Sequence, residues 1–252
     1  MPEPSQQEPP PPEPSGSTHS GTSGGEDDLD LRFLPPVVAL VLLLAATSGI
    51  VDAVAYQRFG VFVANQTGNL VVVAVSATTG SGGNLTTGLS LVALVSFVVG
   101  VFAAMWLRTL LRVRLSVSQV RVLLLGIEAL LIALVGVAVL IAGETATAYL
   151  AVALLSASQA MHAVVITRVV GVAIQTVVIN TALVQSATWW FGGRRRAALV
   201  AFSTPVGYLV GAALGSTLTR FPPPTALASA LVTATASALV AQGIRSRGAP
   251  ID

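Results

Sequence analysis

The sequence contains no cysteine and no lysine, and it carries little negative charge beyond its first 30 residues. The absence of cysteine excludes disulfide bridges, thiolate catalysis and cysteine-ligated metals. All 13 basic residues are arginine, and the only histidines are His19 and His162. With so few histidines a histidine-rich metal centre is not expected, and we expect no metal and no cofactor.

Charge is scarce overall, and the charged residues that exist are unevenly placed. Charged residues make up 10% of the 252 positions and hydrophobic residues 54%, whereas soluble domains carry roughly 25% charged residues. Beyond position 30 the acidic residues are Asp52, Glu128, Glu144 and Asp252. The net charge of +2 gives no reason to expect a nucleic-acid partner. This composition predicts a protein whose main partner is the lipid bilayer.

The first 30 residues differ from the rest of the chain. They consist mainly of Pro, Ser, Gly, Glu and Asp and contain no apolar run. Such a segment cannot bury enough apolar surface to offset its ordering entropy, so we interpret 1–30 as a disordered tail. Residues 31–252 then form the transmembrane domain, and a chain that begins near Asp30 is expected to insert and fold.

Eight apolar segments follow the tail, each close to the roughly 20 residues that cross a bilayer as a helix. The predicted fold is therefore an all-α, polytopic transmembrane helix bundle. The segments are 35–57, 61–79, 87–107, 122–142, 145–167, 169–191, 197–218 and 225–243. The segments 61–79 and 169–191 begin with polar residues and are typical of broken or re-entrant helices, so we expect six to eight spans.

The arginines give little information about orientation if all eight segments cross. Seven arginines would then lie on one side and six on the other, which is not the bias that the positive-inside rule requires. If one weak segment fails to cross, the arginines of 108–121 and 194–196 fall on the same side. The near tie therefore favours seven spans over eight.

Two polar stretches, 48–69 and 156–181, interrupt the apolar pattern and match each other at an offset of 110 residues. The matched pairs are Ser48 with Ser158, Ala53 with Ala163, Val54 with Val164, Arg58 with Arg168, and Asp52 with His162. This order of elements indicates an internal duplication, with homologous halves at 36–142 and 146–243. Paired interrupted segments in two halves are typical of secondary transporters, whose site lies where the halves meet.

The first polar stretch also carries a resemblance to a known family. It contains the run G-x-x-D-A-x-x-Y, followed by G-x-F-x-A-N-x-T-G-N, from Gly49 to Asn69. This run resembles the signature of the YoaK-type family of bacterial membrane proteins, a domain of unknown function. The resemblance covers roughly 36–245. It implies a multi-pass protein of the bacterial plasma membrane and leaves the activity open.

We predict a substrate- or ion-binding site formed by polar residues of both halves. Its candidates are Asp52, Tyr56, Asn65, Gln66, Thr67, Gly68, Asn69, Gln159, His162, Gln175 and Asn180. Arg58 and Arg168 are either charge partners in that site or interface anchors whose side chains extend to the headgroups. The competing interpretation is that the amides and hydroxyls only join helices.

Asp52 is the most informative residue, because a lone carboxylate in lipid costs about 3 kcal/mol or more. It is either functional, as a proton or cation site or a contact for a basic substrate, or structural, as a buried cap or a salt bridge to Arg58 or Arg168. Helical spacing predicts Ser48 and Tyr56 as its hydroxyl partners. If Asp52 is functional, Asp52→Asn should abolish transport. If it is structural, the change should be neutral or stabilising.

The roles of the two other ionisable groups in the membrane segments, His162 and Glu128, are also open. His162 either titrates near neutral pH or serves as an interhelical hydrogen-bond donor. Either His162 or the segment 65–69 is also expected to supply partners for Asp52, where the halves meet. Glu128, six residues into its segment, either pairs with Arg121 or acts alone.

Three functions fit these patterns. The leading hypothesis is a small secondary transporter or permease for a small molecule or ion, with a polar site between two halves. The second is a non-transporting scaffold or assembly protein. The third, an intramembrane enzyme using Asp52 and His162, lacks any catalytic motif, so we expect no enzyme. The sequence leaves self-association into a homo-oligomer open.

Overall fold

A computed structural model of the chain is almost entirely helical and confirms the all-α membrane architecture. It describes residues 31–80, 84–165, 168–169, 172–173 and 179–246, so the predicted tail lies outside the described residues. The helices are α1 (Leu34–Phe59), α2 (Gln66–Thr79), α3 (Asn84–Leu111), α4 (Val117–Ala142), α5 (Glu144–Val165), α6 (Ile179–Phe191), α7 (Arg195–Leu218) and α8 (Pro223–Ser246). A short antiparallel hairpin, β1 (Arg168–Val169) with β2 (Val172–Ala173), follows α5.

Six described helices are long and apolar enough to cross a membrane: α1, α3, α4, α5, α7 and α8. The two weak segments end as short helices, with 14 residues in α2 and 13 in α6. At 1.5 Å per residue each is about 20 Å long, which is less than the hydrocarbon thickness. The described helices thus give six spans, the lower end of the six to eight expected and one fewer than the seven favoured over eight, because both weak segments end as short helices.

The chain enters and leaves the membrane at the same face on either side of α2. Gly60, just after α1, lies beside Thr86 near the start of α3. Gly60 adopts a left-handed conformation with φ of 71°, which glycine reaches without steric cost. The chain thus turns at Gly60, passes through 61–65 and α2, and returns to the face that it left.

The helix directions show that the two halves are inverted. The end of α1 meets the start of α5, where Arg58 and Glu144 lie 3.0 Å apart. The helices α1 and α5 therefore run antiparallel. We call the face that holds Phe33 and Ile244 the N-terminal face, and the face that holds Arg58 and Glu144 the opposite face.

Two helix pairs run parallel, and each pair combines one helix from each half. A Cβ on Gly207 would lie 2.6 Å from the Leu42 carbonyl oxygen, and a Cβ on Gly215 would lie 2.7 Å from that of Ile50. The α1 and α7 backbones therefore touch along their length. On the other side of the bundle, Gly100 brings α3 against Ala157 of α5. The halves are interlocked rather than separate.

The contacts among the helices come in matched pairs when α1 to α4 are exchanged with α5 to α8. The α1–α7 packing corresponds to α5–α3, α4–α5 to α8–α1, and α2–α3 to α6–α7. The α1–α5 and α4–α8 contacts correspond to themselves and mark the pseudo-twofold axis. Asp52 lies 18 residues after the start of α1, and His162 lies 18 residues after the start of α5. This is the arrangement that a duplication predicts.

Two apolar clusters fill the bundle, one toward each face. The N-terminal cluster joins α1, α3, α4, α5, α7 and α8 around Leu40, Leu124 and Val200. The opposite cluster lies around Ile50, Ile132 and Leu155. Between them lies a layer of buried polar side chains, which we call the polar layer: Thr47, Ser48, Glu128, Ser156, Ser158, Gln159 and His162.

Candidate functional site

Asp52 anchors the segment that re-enters the membrane after Gly60. One carboxylate oxygen accepts the backbone N–H groups of Val63 and Ala64, both at 2.7 Å. The other accepts the N–H of Asn65 at 3.1 Å and the hydroxyl of Tyr208 at 2.6 Å. These N–H groups immediately precede α2 and have no helical partners. The carboxylate of α1 therefore fixes the entry to α2 from another helix.

The partners of Asp52 differ from those that helical spacing predicted. Ser48 donates to the Gln159 side-chain oxygen at 2.8 Å instead. Tyr56 is 54% exposed and stacks on Phe62, with ring centroids 4.9 Å apart. The backbone N–H groups outcompete these hydroxyls because the turn at Gly60 brings three of them to one carboxylate.

The amide-rich motif folds the re-entrant segment onto itself. The Asn69 carboxamide donates to the Phe62 carbonyl oxygen at 2.5 Å and accepts its N–H at 3.1 Å. Asn69 also donates to Gln66 at 2.9 Å, and Gln66 donates to the Val63 carbonyl oxygen at 2.8 Å. A Cβ on Gly68 would lie 2.6 Å from the Phe62 ring. The polar atoms of Asn69 and Gln66 therefore hold the loop.

The remaining candidates, from both polar stretches, are either exposed or not described. Asn65 and Thr67 have exposed side chains. Asn180 is exposed at the second position of α6. Gln175 lies outside the described residues, and of Arg168 the structure describes the strand but not the side chain. Their assignment to a binding site stays a prediction.

Arg58 joins three helices at the opposite face. Its guanidinium pairs with Glu144 at 3.0 Å and donates to the carbonyl oxygens of Thr219 at 2.6 Å and Phe221 at 3.2 Å. These carbonyls lie just beyond α7, where helix ends leave acceptors without partners. Arg58 therefore ties the end of α1 to the start of α5 and to the end of α7.

His162 pairs with Glu128 of α4, not with Asp52. Its Nδ1 atom lies 2.9 Å from Glu128 Oε1, and the two side chains are 1% and 0% exposed. His162 and Asp52 lie on opposite sides of the Ser48–Gln159 contact, each about 5 Å from it along its helix. The predicted meeting of Asp52 and His162 is therefore wrong. The predicted Glu128–Arg121 pair gives way to His162, because α5 packs directly on α4 at this level.

Four buried polar atoms of the polar layer have no hydrogen-bond partner within the described part of the chain. They are Ser156 Oγ, Gln159 Nε2, Glu128 Oε2 and His162 Nε2. Ser156, Gln159 and His162 are spaced three residues apart on α5 and so lie along one side of that helix. Buried polar groups normally have partners, so this layer is the part of the described molecule best suited to hold a polar ligand.

The close packing of α1 and α7 on glycines was not predicted from the sequence, although the spacing of those glycines in the sequence indicates it. Gly207, Gly211 and Gly215 recur every four residues in α7, the small-residue spacing that permits close helix contact in membranes. A Cβ on Gly211 would lie only 2.2 Å from the Ala46 carbonyl oxygen. Tyr208, beside this seam, was missed as well, because nothing local marks it as a partner of Asp52.

No three His, Asp or Glu side chains converge as a metal site among the residues that the structure describes. A family model described as a protein of unknown function, DUF1275, matches residues 40–241. The chain belongs to the DUF1275 family. Comparison with curated proteins and with solved structures finds no match. The expectation of an uncharacterised family is thus confirmed, whereas the YoaK-type name stays a prediction. Membership in DUF1275 leaves the activity open.

Proposed function

We propose that this chain is a small secondary transporter that carries a small polar solute or ion through the polar layer between its inverted halves. Inverted repeats whose interrupted segments flank a site at the bilayer midplane are the architecture of many such carriers. The observation that carries the proposal is the set of four buried, unpartnered polar atoms in the polar layer.

The chemistry of these atoms indicates the kind of solute. Gln159 Nε2 is a donor, while the Ser156 hydroxyl can donate or accept. Leaving a buried donor or acceptor unpaired costs about 1–3 kcal/mol, and a bound solute or water recovers that cost. A small solute with both hydrogen-bond acceptors and donors therefore suits the α1–α5 crossing.

The two faces are closed in different ways. Toward the N-terminal face the apolar cluster around Leu40 and Leu124 closes the bundle. Toward the opposite face there is an apolar cavity lined by Val54, Arg58, Phe59, Val135, Val139, Glu144, Leu155 and Leu227. This cavity lies between α1, α4, α5 and α8, the four helices around the pseudo-twofold axis. We interpret the structure as an occluded state whose opening would move these helices apart.

Alternating access can be tested without knowing the substrate. The chain has no cysteine, so each introduced thiol is unique. We expect Leu155→Cys to be modified by a membrane-impermeant maleimide only from the opposite face, and Leu124→Cys only from the N-terminal face. The control is Ala93→Cys, fully buried in α3, a helix that does not line the cavity. Equal protection of all three thiols from both faces would contradict a transporter.

That contrary outcome would favour the second candidate, a non-transporting scaffold. The contacts of Asp52, Asn69 and Arg58 support it, because Asp52 and Arg58 tie helices together and Asn69 holds the re-entrant loop. If the thiols do alternate, uptake screening in proteoliposomes follows, with Gln159→Leu as the variant expected to lose the signal. We propose no enzymatic activity.

A further inference from the structure

The pair formed by Glu128 and His162 is unlike the other polar contacts in the bundle. Both side chains are fully or almost fully buried, and each keeps one polar atom, Oε2 or Nε2, without a partner. The hydrogen bond uses the other two atoms, 2.9 Å apart. Ionisable residues inside a membrane are costly and mark ion pathways or proton relays.

The ionisable groups around the pair come from every neighbouring helix. On α4 itself, Arg121 lies seven residues away, about 10 Å along the axis. On α3, Arg108 donates to the Val164 carbonyl oxygen at 3.3 Å, near the N-terminal face. On α1, Asp52 lies across the Ser48–Gln159 contact with four donors of its own. On α8, the sole ionisable residue is Arg245, near the helix end.

We infer that Glu128 and His162 together form a proton-binding site that couples the proposed carrier to a proton gradient. The inference rests on the proposed transport function, but the site itself does not. With one proton shared between Nδ1 and Oε1, and none on Oε2 or Nε2, the pair carries a net charge of −1. A second proton binds at Oε2 or Nε2, where a lone pair is available, and leaves to water from the same atom. The pair therefore alternates between singly negative and neutral without breaking its hydrogen bond.

The chain allows a direct test on the proton itself, because it has only two histidines. In the His19→Gln variant, His162 is the sole histidine, so ¹⁵N-histidine labelling reports one imidazole in detergent or nanodiscs. Spectra recorded at a series of pH values, from about pH 5 to 8, should show its ring nitrogens changing protonation state reversibly. Glu128→Gln keeps the shape but removes the anion that stabilises the imidazolium. It should therefore change the pH dependence of the His162 signals, because the second proton is held by the pair.

The matched control is Glu144→Gln, the same change in the Arg58 ion pair at the opposite face, which should leave the His162 midpoint unchanged. A His162 ring that keeps one protonation state across this range overturns the inference. So does a midpoint that Glu128→Gln leaves in place.

Coupling is measured separately with the Leu155→Cys thiol. Its labelling rate is compared with that of the exposed Thr79→Cys thiol, because the reactive thiolate fraction of any cysteine rises with pH. This relative rate should depend on pH in the otherwise unaltered chain and become independent of pH when Glu128→Gln is added. Alternating labelling without pH dependence would overturn the coupling role while the transporter stands. A titrating His162 without alternating labelling would instead reject the transporter and leave a proton site in a static bundle.

Discussion

At the scale of single residues, the environment of Asp52 reverses the expectation for a lone carboxylate in lipid. The four donors on Asp52 make the charged oxygens part of the fold. Asp52→Asn replaces one acceptor oxygen by an NH₂ group that faces donors. We expect it to destabilise the protein by about 1–3 kcal/mol for each buried donor left unpaired, seen as a lower midpoint of thermal unfolding in detergent.

Tyr208→Phe is a milder change at the same site, since it removes one of the four donors to Asp52 and leaves the three backbone contacts. Its loss should be smaller, about 1 kcal/mol. An Asp52→Asn protein that is as stable as the unaltered chain, or more so, would show that the carboxylate is not the anchor of 63–65. Retained stability together with lost transport would instead restore the functional interpretation of Asp52.

At the scale of elements, the contact between α1 and α7 depends on the absence of side chains. Gly211→Ala would place a Cβ 2.2 Å from the Ala46 carbonyl oxygen, so the two backbones would have to separate. That separation would also pull Tyr208 away from Asp52. We expect a loss of several kcal/mol, because overpacking alone costs about 1–3 kcal/mol, and a poor yield of monodisperse protein in size-exclusion chromatography.

Gly126→Ala is the matched control, in the middle of α4, where no atom lies within 4 Å of an added Cβ. Alanine favours a helix over glycine by about 1 kcal/mol, so this variant should be as stable as the unaltered chain or more so. Similar behaviour of the two variants would mean that close α1–α7 packing does not support the fold.

At the scale of the whole molecule, an arrangement of six spans places most of the described arginines at one face of the bundle. Arg58 and Arg220 lie at the opposite face. The arginines at the N-terminal face are Arg32, Arg108, Arg112, Arg114, Arg121, Arg168, Arg194, Arg195, Arg196 and Arg245. This is the strong bias that the positive-inside rule describes. We therefore predict that the N-terminal face is cytoplasmic.

Single thiols on intact cells test this topology. Thr79→Cys, at the end of α2, should react with an impermeant maleimide from outside. Phe191→Cys, at the end of α6 and 89% exposed, should react only after the cells are opened. Eight crossings would place both positions on the same side, so identical labelling of the two would contradict the six-span arrangement.

The sequence alone determined the membrane class and the helices, because both depend on local composition. Long apolar runs lack partners for free backbone groups in lipid and must be helical. The six observed spans, Leu34–Phe59 for example, begin and end within a few residues of the predicted segments. The offset that matched Asp52 with His162 also identified equivalent positions in two halves.

The tertiary structure alone decided which segments cross and which polar groups meet. Whether 61–79 crosses depends on Asp52 capturing the N–H groups of Val63 to Asn65, a contact made after the chain turns. The partners Tyr208 and Glu128 lie 156 and 34 residues from Asp52 and His162 in the sequence. Hydropathy and periodicity report only on neighbours within a few turns, whereas hydrogen bonds between helices depend on how the helices pack.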